Sequence, residues 1–238
     1  MKLSRIIVII LALTCMISML ASCDLDGTED KRGDDDYTNL ETPREYFDYA
    51  FNYMHTHTYK ETSVVITELN GEKYEEDDVS VTYMDGTNYY LVDGGMSTIY
   101  YNGTMYVDGP AGKRKTEIDL ESFTESMGES VGIAKDYWSN VDNFLVEDSL
   151  KHTKNADGTS TLEFSINFPN VTMYDCVVKL DNKNRIVEYT LTMEMTMQNY
   201  VMKSTDVLTI EYGDQYKVTP PEDPDSYETV DSYFDLVM

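Results

Sequence analysis

The sequence predicts an α+β protein built on a strongly curved antiparallel β-sheet, a half-open barrel with helices covering its concave face. Three observations carry this. First, residues 187–197 alternate strictly: Val187, Tyr189, Leu191, Met193, Met195 and Met197 are apolar, and the residues between them are Glu or Thr. A helix would scatter these six around its circumference, so only a strand gathers them on one face. Second, turn dipeptides follow closely at Asp85-Gly86, Gly94-Gly95, Asn102-Gly103 and Asp108-Gly109, as a meander of hairpins requires. Third, strands of eleven or more residues exceed the usual length, and several side by side must twist and curl.

The elements follow in order. Thr42 is placed as an N-cap, Pro43 as the first helical residue, and Glu45 completes a Thr-x-x-Glu capping box. Phe47, Ala50, Phe51 and Met54 then recur at helical spacing, and the helix should end near His55 with that stripe against the sheet. Residues 58–69 are β-rich and 79–84 alternate. The turns separate the short strands NYYLV, MSTIYY and TMYV. Within 119–150 the period changes. Leu120, Phe123 and Met127 share a helical face, and a second stretch runs from Ile133 through Trp138 to Leu145. Alternation resumes at Leu162, Phe164, Ile166 and Phe168, then at Tyr174, Cys176, Val178 and Leu180, with a turn over 181–184. Residues 201–212 make the last long strand. Pro220, Pro221 and Pro224 close the domain, and the tail, 223–238, is a candidate short helix.

Composition bounds the function. The chain has 238 residues, 18 Lys and Arg against 44 Asp and Glu, and a formal net charge of −26. Such a chain repels phosphate, so no nucleic-acid partner is expected. With 41% hydrophobic residues, 20 Tyr and 14 Met, it can fill a real core. Three cysteines exclude a disulfide framework.

Residues 1–22 read as a signal peptide. Lys2 and Arg5 form a positive end, and an uncharged apolar run over 6–20 is short for a membrane-spanning helix. Leu20-Ala21-Ser22-Cys23 follows and resembles the bacterial lipobox. That resemblance implies peptidase recognition of Leu20, Ala21 and Ser22, acylation of Cys23, and an exported protein held on the cell membrane by acyl chains and facing away from the cytoplasm. The mature chain would keep 16 basic and 44 acidic groups, a net charge of −28. With Cys15 removed and Cys23 acylated, Cys176 has no disulfide partner, so stability must come from packing. Residues 23–41 are the lipidated Cys and an acidic tether, too polar to fold. The acidic residues of this tether match no calcium-loop register, and its Arg32-Gly33-Asp34 reads as chance in a polar linker.

The lipobox, the capped helix, the Tyr-rich meander with its DGTNYY and YNGTMYVDG turns, the helical insert, the long alternating strands and the terminal Val-Thr-Pro-Pro together resemble the LolA/LolB-like lipoprotein superfamily over residues 42–222. The nearer likeness is to its lipid-anchored LppX/LprG-type branch and related lipoproteins. The resemblance implies a half-barrel domain with a hydrophobic cavity between sheet and helices that holds acyl chains. No residue here matches the Arg with which LolA-type carriers control their lid, so their shuttling mechanism is not implied.

The implied apolar-ligand residues are Phe47 and Met54 on the helix and Tyr189, Leu191, Met193, Met195 and Met197 on the longest alternating strand. Methionines are soft and suit a cavity that accepts variable chains. The same face also reads as packed core. Two functions follow: binding or transfer of a lipid or other apolar molecule, or a non-catalytic structural role in which a filled domain docks an envelope protein through its acidic surface. No catalytic residue, cofactor or metal site is expected. His55 and His57 could share a metal in extended chain but lack a third ligand, Cys176 reads as an inert core thiol, and no nucleophile elbow, phosphate loop or dinucleotide fingerprint occurs.

Overall fold

A computed structural model describes residues 39–73, 78–85, 88–118, 145–167, 174–197, 200–232 and 235–236. The signal and tether, with Leu20, Ala21, Ser22 and Cys23, lie outside these residues. So do residues 119–144 of the one or two helices expected across 119–150, and the side chains of Met195 and Met197. Where the described residues resume, Leu145 forms a β-bridge to Ile166 and Glu147–Ser149 is a 3₁₀ turn, so that end is not α-helical.

Helix α1 (Pro43–Thr56) begins as its sequence dictates. The Glu45 amide donates to Thr42 Oγ1 at 3.3 Å, and Glu45 Oε2 accepts from the Thr42 amide at 2.9 Å and the Glu41 amide at 2.8 Å. Three orphan donors at the helix entrance are thus satisfied. The helix buries Tyr46, Phe47, Ala50 and Met54. At its far end Thr56 Oγ1 donates to the Asn52 carbonyl at 2.8 Å, and the His57 ring stacks on Tyr53 at 3.7 Å.

The rest is one open sheet. Its strands are β1 (Tyr59–Leu69), β2 (Glu72–Lys73), β3 (Asp78–Asp85), β4 (Asn88–Asp93), β5 (Met96–Tyr101), β6 (Thr104–Gly109), β7 (Gly112–Glu117), β8 (Lys151–Lys154), β9 (Ser160–Ile166), β10 (Tyr174–Leu180), β11 (Ile186–Met197), β12 (Tyr200–Tyr212) and β13 (Glu228–Thr229). The order is β13-β7-β6-β5-β4-β3-β1-β12-β11-β10-β9-β8, with β2 hairpinned on β1. Every pairing is antiparallel except β13 on β7. The described residues therefore form a curved, unclosed sheet with one α-helix, the expected half-barrel.

The chain enters the middle of this sheet. Strand β1 is flanked by β3 and β12, so two meanders fan out from it, one running from β3 to β7 and the other from β12 back to β8. The β1–β12 seam is antiparallel along the whole of β1: Tyr59 faces Tyr212, and the register runs unbroken to Leu69 facing Met202. Closing that seam brings together residues about 150 positions apart.

The structure corrects several local expectations. Asp108-Gly109 is not a turn: Gly109 still pairs with Gly112, and the chain reverses over Pro110 and Ala111. The turn at Asn70-Gly71, with φ of 52° and 81°, makes an extra hairpin. Val187 leaves the buried row, because the register slips where Lys179 faces Glu188 and Leu180 faces Ile186. This bulge puts Ile186 in the core instead. The tail, 223–238, opens with a 3₁₀ turn at Pro224–Ser226 followed by two residues of parallel strand, and its last described residues, Asp235 and Leu236, are helical. It straps the β7 edge: Lys115 Nζ donates to the Pro224 carbonyl at 2.7 Å, Thr116 Oγ1 donates to the Val230 carbonyl at 2.9 Å, and Tyr227 and Leu236 are buried.

Candidate ligand site on the concave face

Side chains alternate across each strand, so the register assigns the inward row directly. On β1 it begins Tyr59, Glu61, Ser63. Across the seam on β12 it holds Ile210, Leu208 and Asp206. Leu208 faces Tyr189 on β11, Asp206 faces Leu191, and Ser204 faces Met193. On the other side Met84, Tyr89, Tyr100 and Met105 continue the row through β3–β6. All of these are buried.

Helix α1 packs on β8, β9 and β11. Phe47 meets Phe164 edge-to-face at 5.1 Å. Of the expected ligand residues, Phe47, Met54, Tyr189 and Leu191 belong to one core cluster, and Met193 is buried beside them on the same strand face.

The middle of this apolar surface is polar. Glu61 is 1% exposed and Asp206 is 4% exposed. Ser63 Oγ donates to Asp206 Oδ1 at 2.7 Å, and the Tyr189 hydroxyl donates to Glu61 Oε2 at 3.2 Å. Asp206 Oδ2 and the Tyr59 hydroxyl have no hydrogen-bond partner. Burial pushes the Asp206 carboxyl up to about 6 against the pull of the Ser63 hydrogen bond. Tyr59 and Tyr189 are both held well above the usual phenol range, first by burial and then by the nearby Glu61 carboxylate. A buried charge without a counter-ion costs folding energy, so natural cores rarely carry two carboxyls in one inward row.

Sequence reasoning missed this seam. The signal was present: Glu61 and Ser63 occupy the phase of Tyr59 and Val65, and Ser204 and Asp206 occupy the phase of Met202 and Leu208. A charged residue in the buried phase of a strand marks a site or a structural network. Only the register shows that the two interruptions are neighbours.

The other candidate chemistry is arranged differently. His57 Nδ1 lies 2.8 Å from the Tyr53 carbonyl, and the described residues contain no group of three His, Cys, Asp or Glu placed to hold a metal. Cys176 is buried, and that burial raises its thiol far above the range of a reactive thiolate. A polar groove of about 480 Å³ lies beside the tail, lined by Arg114, Glu228, Asp231 and Asp235 among others. No described helix is long and apolar enough to cross a membrane.

No protein-family model and no curated protein matches the chain. Among solved structures, it is similar to MucB in complex with MucA(peri), at 10% identity over 76% of this chain with a TM-score of 0.30, and to MucB in the Pseudomonas aeruginosa MucA/MucB complex, at 11% identity over 76% with a TM-score of 0.35. The chain spans 58% and 59% of those two structures. It is also similar to a putative outer membrane lipoprotein-sorting protein domain from Vibrio parahaemolyticus, at 8% identity over 70% of this chain and 89% of that one, with a TM-score of 0.23. At these levels the likeness assigns no function, which must be read from the chain's own residues.

Proposed function

We propose that this chain is an exported lipoprotein, acylated at Cys23, whose concave face binds a lipid or other apolar molecule without catalysing a reaction. The observation that supports this most is the composition of the inward row. It mixes Tyr and Met, adaptable or amphipathic side chains, with Leu and Ile, and it carries two buried carboxyls that a merely filled core would replace with apolar groups. Phe47 and Met54 on α1, with Tyr189, Leu191 and Met193 on β11, form the part of the surface nearest the helix. Met195 and Met197 extend the same strand.

The test uses the full chain purified from membranes in a non-ionic detergent. Its lipid is extracted and weighed by mass spectrometry, alongside a Cys23→Ser chain. Wild type should carry diacyl mass on the Cys23 peptide, lost in the variant, while both retain a stoichiometric non-covalent lipid. Acylation without any retained lipid would favour the docking role through the acidic surface. An unmodified Cys23 in a membrane-extracted chain would remove the anchor.

A further inference from the structure

We infer that the polar seam on the concave face receives the cationic amine head of an amphiphile whose hydrocarbon body lies along the apolar rows beside it. This rests on the reading of that face as a ligand site and names the ligand class.

Two features of the inward row point to an unfilled polar position. Asp206 is almost wholly buried, and Ser63 occupies one of its carboxylate oxygens while Oδ2 has no partner. Tyr59 is 2% exposed, and its hydroxyl also has no partner, although it lies close enough to Glu61 and Tyr189 to couple with both electrostatically. Buried polar atoms in folded proteins are nearly always satisfied, so the orphan Asp206 Oδ2 marks a place where a donor belongs, and the Tyr59 hydroxyl farther along the same inward row is able to accept from a donor bound beside Glu61. The sign of the charge chooses the donor. The seam holds two carboxyls, and among the described residues no Lys, Arg or His forms an ion pair with Asp206. An anionic head would be repelled.

A primary ammonium presents three donors and no acceptor, which suits carboxylate and hydroxyl oxygens. A divalent ion fits less well, because calcium takes six to eight oxygens and no three ligating carboxyl or imidazole groups converge among the described residues. Leu208, Leu191 and Met193 adjoin Asp206 in register, so apolar surface begins immediately beside the head-group position.

The test is native mass spectrometry of the full chain in non-ionic detergent, equilibrated with equal concentrations of dodecylamine, dodecanol and dodecanoic acid. The amine adduct should exceed the other two at least tenfold. Asp206→Asn and Glu61→Gln should each lower the amine-to-dodecanol ratio at least fivefold. Tyr59→Phe, which removes one hydroxyl and keeps the packed ring, should lower the same ratio several-fold and guards against misfolding of the charge variants. Equal uptake of amine and dodecanol overturns the head-group assignment while the apolar-ligand reading stands. No adduct with any of the three overturns both. Displacement of dodecylamine by an equal concentration of ethanolamine would show a free amine as the ligand and overturn the amphiphile.

Discussion

Ser63 on β1 and Asp206 on β12 stand 143 residues apart in the chain, yet the Ser63 hydroxyl donates to the Asp206 carboxyl at 2.7 Å inside the sheet. Ser63 faces Leu208, and Asp206 faces Val65, so the bond runs diagonally across the seam. This contact keeps the buried carboxyl from rising further, and it offsets only part of the desolvation.

Stability should therefore depend on pH through Asp206. Its ordinary value is 3.8 and burial raises it to about 6. The folded state binds this proton more tightly than the unfolded state, so its stabilising contribution is full below 3.8 and is lost as pH rises through about 6. The shift corresponds to roughly 3 kcal/mol at most. Asp206→Asn is neutral throughout. Urea unfolding of the full chain should show the variant gaining on wild type between pH 4.5 and pH 7.5 by an amount of that order. A difference that stays constant across this range would show that Asp206 does not titrate as described.

Arg185 ties three elements together. Its guanidinium pairs with Asp181, through Nε at 2.7 Å and Nη2 at 2.5 Å, and lies over Tyr53 of α1 at 5.9 Å and Tyr212 of β12 at 5.6 Å. Arg185→Ala should cost about 1–3 kcal/mol, from the lost charged hydrogen bonds and ring contacts. Arg185→Lys should recover less than half of this, because an ammonium cannot reproduce the fork or the stacked plane. Thermal unfolding distinguishes the two. Full recovery by Lys would reduce the contact to simple charge pairing.

The entrance of α1 is a local device with a local cost. Thr42→Ala removes the cap acceptor for the Glu45 amide and should destabilise by about 1 kcal/mol. Thr42→Ser keeps the hydroxyl and should stay within a few tenths of wild type. Chemical denaturation measures both. Equal losses in the two variants would mean that the methyl group matters, not the cap.

What was legible in the sequence divides by range. The cap at Thr42, the strand periodicity over 187–197 and the hairpins at Gly94-Gly95 and Asn102-Gly103 all rest on interactions within a few residues. The short strand β8 and the Lys-rich β7 escaped notice, because edge strands carry charged residues without apolar alternation. The bulge that replaces Val187 with Ile186 is a two-strand property, since it exists only as a mismatch between β10 and β11. The candidate site divides in the same way. Tyr189, Leu191 and Met193 stood out by their alternation. Glu61 and Asp206 looked like two more acids in a chain that holds 44.

The sequence by itself determined the class of this protein: a curved antiparallel sheet with a capped amphipathic helix, since period, capping and turn chemistry act through neighbours along the chain. Only the tertiary structure decided that β1 lies in the middle of the sheet against β12, and so that Glu61, Ser63, Tyr189 and Asp206 meet. Strand pairing is non-local, and many registers satisfy the same alternation. The choice among them is made by burial summed over the whole sheet, a quantity that no short window of sequence contains.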